Sequence, residues 1–403
     1  MACAPRRPDT EPHAAAVRPG IEALLAESLH LVRGQRIGLL SNHTGIDRLR
    51  RRDVDLLLQA DGLRLTALFS PEHGFRGVED RTDLPDAVDS VTGLPIYSLY
   101  TGTRAPTLTA LDSIDVLVID LQDIGARYYT YVASAVALAR AAAGRGKRVV
   151  VLDRPNPIDG ETTQGNVRSA PAPVEALVGI LPVPMRHGLT LGEMMGMAGE
   201  LYGFGGALTI VPAAGWRRPM YFDATGLPWV RPSPNMPDLE SALHYPGLCL
   251  FEGTNLSVGR GTASAFQMIG APWLDPDAVI KRVREGGGGT GPAWAGVQFR
   301  AVRFTPQGPT DAKYDGRELR GIRLRVTDRR RYDPTRVSVA LLVALRDVHG
   351  DSLALRAPAF DGLAGGPELR EAIAAGRTAA EIWAPWDSSL ARFRVWRVKY
   401  LLY

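Results

Sequence analysis

The sequence predicts an α/β fold built on a doubly wound, mainly parallel sheet, followed by a smaller α+β C-terminal domain. Short runs rich in β-branched residues alternate with helical stretches at the spacing of βαβ units. Four successive predicted strands each end in a polar signature, and the carboxyl ends of parallel strands share one edge of a sheet. From Trp229 the sequence changes to motif-rich loops. We therefore predict a disordered tail over 1–20, a catalytic domain over 21–245 and a C-terminal domain over 246–403.

The predicted elements follow from hydrophobic periodicity. A first helix over 20–31 has Ile21, Leu24, Leu25 and Leu29 on one face. The predicted strands of the first domain are 36–40, 65–69, 116–119, 148–152 and 208–212, and its further helices are 54–58, 131–143 and 190–202. The second domain is predicted to hold strands 296–304 and 321–326, helices 336–348 and 367–375, a closing helix after Asp387, and a flexible loop over 286–291.

Composition excludes several classes. The 403 residues are 45% hydrophobic and 22% charged, as in soluble globular proteins, and the net charge is +4. The arginines are dispersed rather than clustered with aromatic residues, so we expect no nucleic acid partner. Two cysteines form no disulfide framework, and no apolar run predicts a membrane span. The N-terminus shows no signal segment, so we expect a cytoplasmic location, or export from a misassigned start. The oligomeric state is not predictable.

The third strand leads into the densest polar cluster of the sequence, with Asp120, Gln122, Asp123, Arg127 and Tyr128 within nine residues. Either aspartate is a candidate for the second carboxylate of glycoside hydrolysis, and Asp120 is equally a candidate helix cap. We expect Arg127 to hold a carboxylate by a bidentate fork. Tyr128 and Tyr131 are candidates for an apolar wall against a sugar face. We expect one of the two to belong to the core instead.

Glu72 is the leading candidate for proton transfer. It follows the second strand in Ser-Pro-Glu-His-Gly, a turn that can tuck its carboxyl into a cleft. Partial desolvation raises the pKa of a carboxyl and suits it to general acid catalysis, whereas the alternative is a capping or surface ion-pair role. Further candidate binding residues lie in the polar loops: Asn42, His43, His73, Arg154, Asn156, His187, Asn235, Glu252 and Arg260.

Other chemistries have less support. The sequence contains no G-x-G-x-x-G after the first strand, no phosphate-binding loop and no G-x-S-x-G elbow, so we predict no cofactor. A metal site formed by His43, His73, Asp120 and Asp153 is conceivable, but no metal-binding spacing supports it, so we predict no metal.

Seven motifs, in this order, resemble those of one bacterial family, the NamZ-like exo-β-N-acetylmuramidases (DUF1343). They are SNHTG, SPEHGFRG, DLQDIGARYYTY, VLDRPNP, RHGLTLGE, PSPNMP and EGTNLSVGRGT. The resemblance implies a Rossmann-like catalytic domain without nucleotide, an ancillary C-terminal domain, and release of terminal N-acetylmuramic acid (MurNAc) from peptidoglycan fragments such as MurNAc-GlcNAc. It places the family's catalytic acid on Glu72. We assign Asp120 or Asp123 as base or stabiliser, and Arg127 or Arg260 as partner of the lactyl carboxylate. A non-catalytic muropeptide-binding protein and a metal-dependent hydrolase are the alternatives.

Overall fold

The computed structural model describes residues 17–77, 84–99, 108–173, 176–286 and 294–403. The strands are β1 Arg36–Ser41, β2 Arg64–Ser70, β3 Ala87–Val88, β4 Pro95–Ser98, β5 Val116–Asp120, β6 Arg148–Leu152, β7 Gln164–Val167, β8 Pro184–Arg186, β9 Leu208–Val211, β10 Met268–Ala271, β11 Val297–Phe304 and β12 Leu319–Val326. The helices are α1 Gly20–Glu27, α2 Asp53–Gln59, α3 Tyr131–Ala143, α4 Leu191–Leu201, α5 Leu239–Leu248, α6 Pro276–Glu285, α7 Pro334–His349, α8 Ala357–Ala364, α9 Glu368–Ala374, α10 Ala379–Trp383 and α11 Trp386–Arg397.

The predicted doubly wound fold is confirmed. Seven strands form one sheet in the order β3-β4-β2-β1-β5-β6-β9, in which only the β3–β4 pair is antiparallel. Val116 and Val118 of β5 face the core shared with α1 and α2, whereas Leu117 and Ile119 face the core shared with α3 and α4. A strand buried on both faces in this way requires an uninterrupted apolar run, which is what its sequence provides.

The strand order reverses between β1 and β5. From β1 the chain continues to its neighbour β2 on one side, and it later returns to place β5 on the other side. In open α/β sheets, the loops that diverge from such a switch point leave a crevice at the carboxyl ends of the strands. The loops that follow β1 and β5 therefore border this crevice.

The C-terminal half contributes an antiparallel sheet in the order β10-β12-β11. Helices α6 and α7 pack together, and buried side chains of both join Phe299, Ile322 and Leu324 in one core. Helices α8 to α11 complete this half, which matches the predicted smaller α+β domain. Among the described residues, no helix is long and apolar enough to cross a membrane.

Three expectations need comment. Residues 1–16 of the predicted disordered tail over 1–20 lie outside the described residues, whereas Val17 is fully buried and Arg18 pairs with Ala214. The predicted domain boundary near 245 falls inside α5. The sequence Tyr245-Pro246-Gly247 suggested a loop at this position. The predicted flexible loop over 286–291 lies outside the described residues, except for Gly286.

Candidate functional site

Glu72 lies in the turn that follows β2, where it is half-buried. The next two residues, His73 and Gly74, both have positive φ, and the Gly74 amide donates to the Pro71 carbonyl. The hydroxyl of Thr130, at the N-terminus of α3, donates to Oε2 of Glu72 at 2.5 Å. Because Thr130 follows β5, this bond shows that the β2 and β5 loops meet at the same edge of the sheet.

His43 joins three loops around this turn. One ring nitrogen, Nε2, lies 2.5 Å from the Arg231 carbonyl oxygen. The ring also packs against Gly77, where an added Cβ would lie only 1.8 Å from it, so the approach requires glycine. Burial lowers the pKa of His43, while the Arg231 carbonyl opposes that shift. His43 therefore fixes the β1 loop against the Glu72 turn and against residue 231 as a neutral ring near pH 7.

Asp120, at the end of β5, is fully buried and forms a bidentate ion pair with Arg154, which follows β6. The same guanidinium donates to the Ile46 carbonyl at 2.9 Å. Asp53, at the start of α2, is the third member of this cluster, and burial together with the charge of Asp120 raises its pKa well above the ordinary value. Asp53 was not recognised from the sequence, where it looks like an exposed helix-start aspartate. The cluster ties together the loops after β1, β5 and β6.

Asp123 and His187 form a second buried pair. Oδ2 of Asp123 accepts from the Gly125 amide at 2.6 Å and lies 3.4 Å from Nε2 of His187. The other ring nitrogen of His187, Nδ1, accepts from the Leu189 amide, which leaves the proton of the neutral ring on Nε2, facing the carboxylate. This pair brings the loop after β5 against the loop after β8.

Gln122 and Asn156 are also buried and are bonded to the backbone. Gln122 donates to the carbonyls of Asp123 and Pro155, and Asn156 donates to the carbonyl of Leu189. Both side chains therefore hold loop conformations at the sheet edge.

Arg127, which we predicted to hold a carboxylate, contacts none among the described residues. Its guanidinium is buried and donates to Asn166 and to the carbonyls of Leu363 and Ala364, at the C-terminal end of α8. A cation at this position complements the helix dipole. Tyr128 is likewise core, since its hydroxyl donates to the Pro246 carbonyl. Arg127 therefore joins the two halves of the chain.

An aromatic cluster continues from Glu72 to the C-terminal half. The ring of Tyr129 lies 4.7 Å from Tyr131 and 6.3 Å from Tyr245, and Tyr245 lies 4.7 Å from Phe266. Burial is the main cause of the raised pKa of Tyr131, and the negative charge of Glu72 adds to it. Glu72 is therefore close to this cluster.

Beyond the cluster, the guanidinium of Arg260 lies over the Phe266 ring and pairs with Glu252 at 2.5 Å. Lys313, missed from the sequence, donates to the carbonyls of Glu252 and Leu256 and thereby holds this loop. Asn235 lies in the segment between residue 231 and α5, beside Ser233 and Pro232, whose carbonyl accepts from Tyr131. The candidate site is thus bordered by both halves of the chain.

The hypothetical metal ligands do not converge. Asp120 is occupied by Arg154, whereas Asp153 accepts hydrogen bonds from Thr190, the Gly192 amide and Tyr403. Across the described ranges, no group of three histidine, cysteine, aspartate or glutamate side chains is arranged to hold a metal ion.

Comparisons with known proteins cover nearly the whole chain. Models for the N-terminal and C-terminal parts of the exo-β-N-acetylmuramidase NamZ match residues 37–240 and 243–403. The peptidoglycan β-N-acetylmuramidase NamZ of Bacillus subtilis (strain 168) is 36% identical over 389 residues, which are 96% of this chain and 91% of that protein. Two crystal structures of DUF1343 family proteins from Bacteroides fragilis NCTC 9343 superpose with TM-scores of 0.85 and 0.74, at 32% and 31% identity. Each covers 96% of this chain and 99% of its own.

Proposed function

The chain belongs to the NamZ family of exo-β-N-acetylmuramidases, and we propose that it releases MurNAc from the non-reducing end of peptidoglycan fragments such as MurNAc-GlcNAc, with Glu72 as the general acid. The observation that carries this assignment is the position of Glu72. It is a half-exposed carboxyl at the sheet edge, beside the switch point and next to the junction of the two halves.

The contacts of Glu72 suit a proton donor. Oε2 accepts from Thr130, which fixes the plane of the carboxyl and leaves Oε1 to carry the acidic proton. In our proposal, Oε1–H protonates the glycosidic oxygen while the bond between C1 and that oxygen breaks and C1 gains oxocarbenium character. GlcNAc leaves as an alcohol and Glu72 is left ionised. Water then adds to C1, and the proton that this water releases returns to Glu72 through solvent.

Asp120 and Asp123 have positioning roles in this proposal. Both are nearly inaccessible and are held by protein donors, so neither presents a carboxylate to a sugar among the described residues. Of the two arginines predicted as partner of the lactyl carboxylate, Arg127 and Arg260, we retain Arg260. Its ion pair with Glu252 and its stacking on Phe266 fix the guanidinium at the far end of the aromatic cluster from Glu72.

The test compares Glu72→Gln with Glu161→Gln, a matched control at an exposed glutamate. Each protein is incubated with MurNAc-GlcNAc and, separately, with GlcNAc-MurNAc, and released sugars are quantified. Wild type and the control should release MurNAc from the first substrate only, and Glu72→Gln should release none while melting at the wild-type temperature. Wild-type turnover by Glu72→Gln would remove Glu72 from its role.

The same assay separates the alternatives. Calorimetric binding of MurNAc-GlcNAc by the wild-type protein without any product would identify a muropeptide-binding protein. Activity that is lost with a chelator and restored by a divalent metal would identify a metal-dependent hydrolase.

A further inference from the structure

The antiparallel sheet of the C-terminal half has one face covered by helices and one face that carries three exposed arginines. Register pairing places Arg300 of β11 directly opposite Arg323 of β12, and Arg325 lies one pair further along on the same face. All three side chains are exposed. Like charges directly opposite each other destabilise a sheet, so the arrangement costs free energy that packing does not explain.

The distribution of ion pairs is uneven between the two faces. Arg303 and Arg320 lie on the opposite, helix-covered face of the sheet. There Arg303 pairs with Glu318, and Arg320 pairs with Asp275. Within the ranges that the structure describes, no carboxylate lies within 4 Å of Arg300, Arg323 or Arg325. Arg323 donates to Gln267, and it also contributes weakly to the lowered pKa of Glu240, which is caused first by His244. The exposed face therefore has a local excess of positive charge.

An aromatic ring lies on the same face. Phe304 follows Arg300 by four residues on β11, which places it on the same face of the strand, and it remains partly exposed. Its ring covers Gly270 and Gly321, where an added Cβ would lie 2.5 and 2.7 Å from ring carbons. Two glycines side by side in neighbouring strands allow the ring to lie against the sheet. A ring held in this way offers a surface on which a sugar can stack.

This face leads to the candidate catalytic site. Just after Phe304, the Gln307 amide donates to the Gly261 carbonyl at 3.0 Å, and Gly261 follows Arg260. The three arginines and Phe304, which we call the arginine face, thus lie next to the Arg260 loop.

We propose that the arginine face binds carboxylate-bearing glycan of peptidoglycan outside the catalytic site, with the arginines pairing with the carboxylates and Phe304 stacking on a sugar ring. The proposal rests on the proposed function, because MurNAc units carry a lactyl carboxyl and attached peptides add more. Charge complementarity and the aromatic ring together favour an acidic glycan over a nucleic acid, for which three arginines form a small footprint. Remote binding of this kind would raise the local concentration of chain ends at the Arg260 loop.

The test measures cosedimentation of the full chain with purified, insoluble peptidoglycan. Arg300→Gln/Arg325→Gln removes two charges from the arginine face, and Arg64→Gln/Arg303→Gln removes two exposed charges elsewhere. We expect the first variant to bind about fivefold more weakly at low salt, as two exposed ion pairs would allow, and the control to bind like wild type. The difference should disappear in 0.5 M salt and on peptidoglycan whose carboxyls have been amidated. Phe304→Leu should weaken binding without changing its salt dependence.

Equal cosedimentation of the two double variants would overturn the proposal. It would also be overturned if Arg300→Gln/Arg325→Gln lost DNA binding in a gel-shift assay while its binding to peptidoglycan stayed unchanged. The soluble disaccharide MurNAc-GlcNAc is assayed in parallel, and the face variant should cleave it at the wild-type rate because its substitutions lie outside the catalytic site. Absence of cleavage by the wild-type protein would refute the proposed function, whereas the binding comparison would still decide whether the arginine face holds acidic glycan.

Discussion

Arg154→Met tests whether the buried charge cluster holds the sheet edge together. Arg154 neutralises Asp120, lies 3.9 Å from Asp53 and donates to the Ile46 carbonyl, all with almost no solvent exposure. Methionine fills similar space but leaves a buried carboxylate without a counter-charge. Breaking a buried ion pair in this way costs about 3–5 kcal/mol. With an unfolding entropy of about 2.1 cal/mol/K per residue, this loss corresponds to a decrease of roughly 4–6 °C in Tm for a chain of this length.

The assay is thermal unfolding at several pH values, with Arg303→Met as a control. Arg303 makes an ion pair with Glu318 in which both side chains are exposed, so its loss should cost less than about 1 kcal/mol. In Arg154→Met the uncompensated carboxylate must take up a proton, so its folded-state pKa lies above its unfolded value. An acid with a raised pKa loses stabilising free energy as pH rises, so the deficit of the variant should be larger at pH 8 than at pH 5.

A second substitution makes the reasoning refutable. Asp120→Asn in the Arg154→Met background removes the unpaired charge and should restore more than half of the lost stability. Two results would contradict this reasoning. The effects of the two substitutions on the free energy of unfolding could be additive, or Arg154→Met could melt within 1 °C of wild type, which corresponds to a loss of less than about 1 kcal/mol.

Three further predictions concern single side chains. Thr130→Val removes the hydrogen bond to Glu72, so kcat for a MurNAc glycoside should fall about tenfold with KM unchanged; an unchanged kcat would contradict the contact. Burial raises the pKa of Asp153 to about 7, so the contribution of Asp153 to the free energy of unfolding should fall by up to about 4 kcal/mol between pH 4 and 7. In urea titrations over this pH range, Asp153→Asn should lack this part of the wild-type decrease. Arg127→Met should lower stability by about 2–4 kcal/mol without changing KM; a raised KM at wild-type stability would return Arg127 to the substrate.

The sheet could be predicted because its strands are buried on both faces. Predicted ranges for β1, β2, β5 and β6 agree with the structure within one residue at each end. In contrast, β3, β7 and β8 have two to four residues each, too short to give a period. Helix α5 was hidden by Pro246, which sequence rules treat as a helix breaker. The helix nevertheless includes Pro246, and at Gly247 it approaches α7 so closely that an added Cβ would lie 2.0 Å from the Pro334 carbonyl oxygen.

The partners of charged side chains could not be predicted, because they depend on contacts distant in sequence. Arg127 looked like a ligand for an acid, but the carbonyl of Ala364 that it holds is 237 residues away. Asp53 was not among the predicted site residues, because its neighbours Asp120 and Arg154 are distant in sequence. The position of Glu72 was easier to predict, since a turn that follows a buried parallel strand must reach the carboxyl edge of the sheet.

The burial of the charged residues distinguishes support from chemistry at this edge. Asp120, Asp123 and Arg154 are buried. Arg154 holds both oxygens of Asp120, and the Gly125 amide donates to Oδ2 of Asp123. Glu72 differs because it keeps partial exposure and a single described hydrogen bond, from Thr130. A group that must exchange a proton with substrate and then with water needs that access, whereas the groups that fix its loop need to be excluded from water. Neutral substitutions at the buried positions should therefore lower stability together with activity, and substitution of Glu72 should lower activity alone.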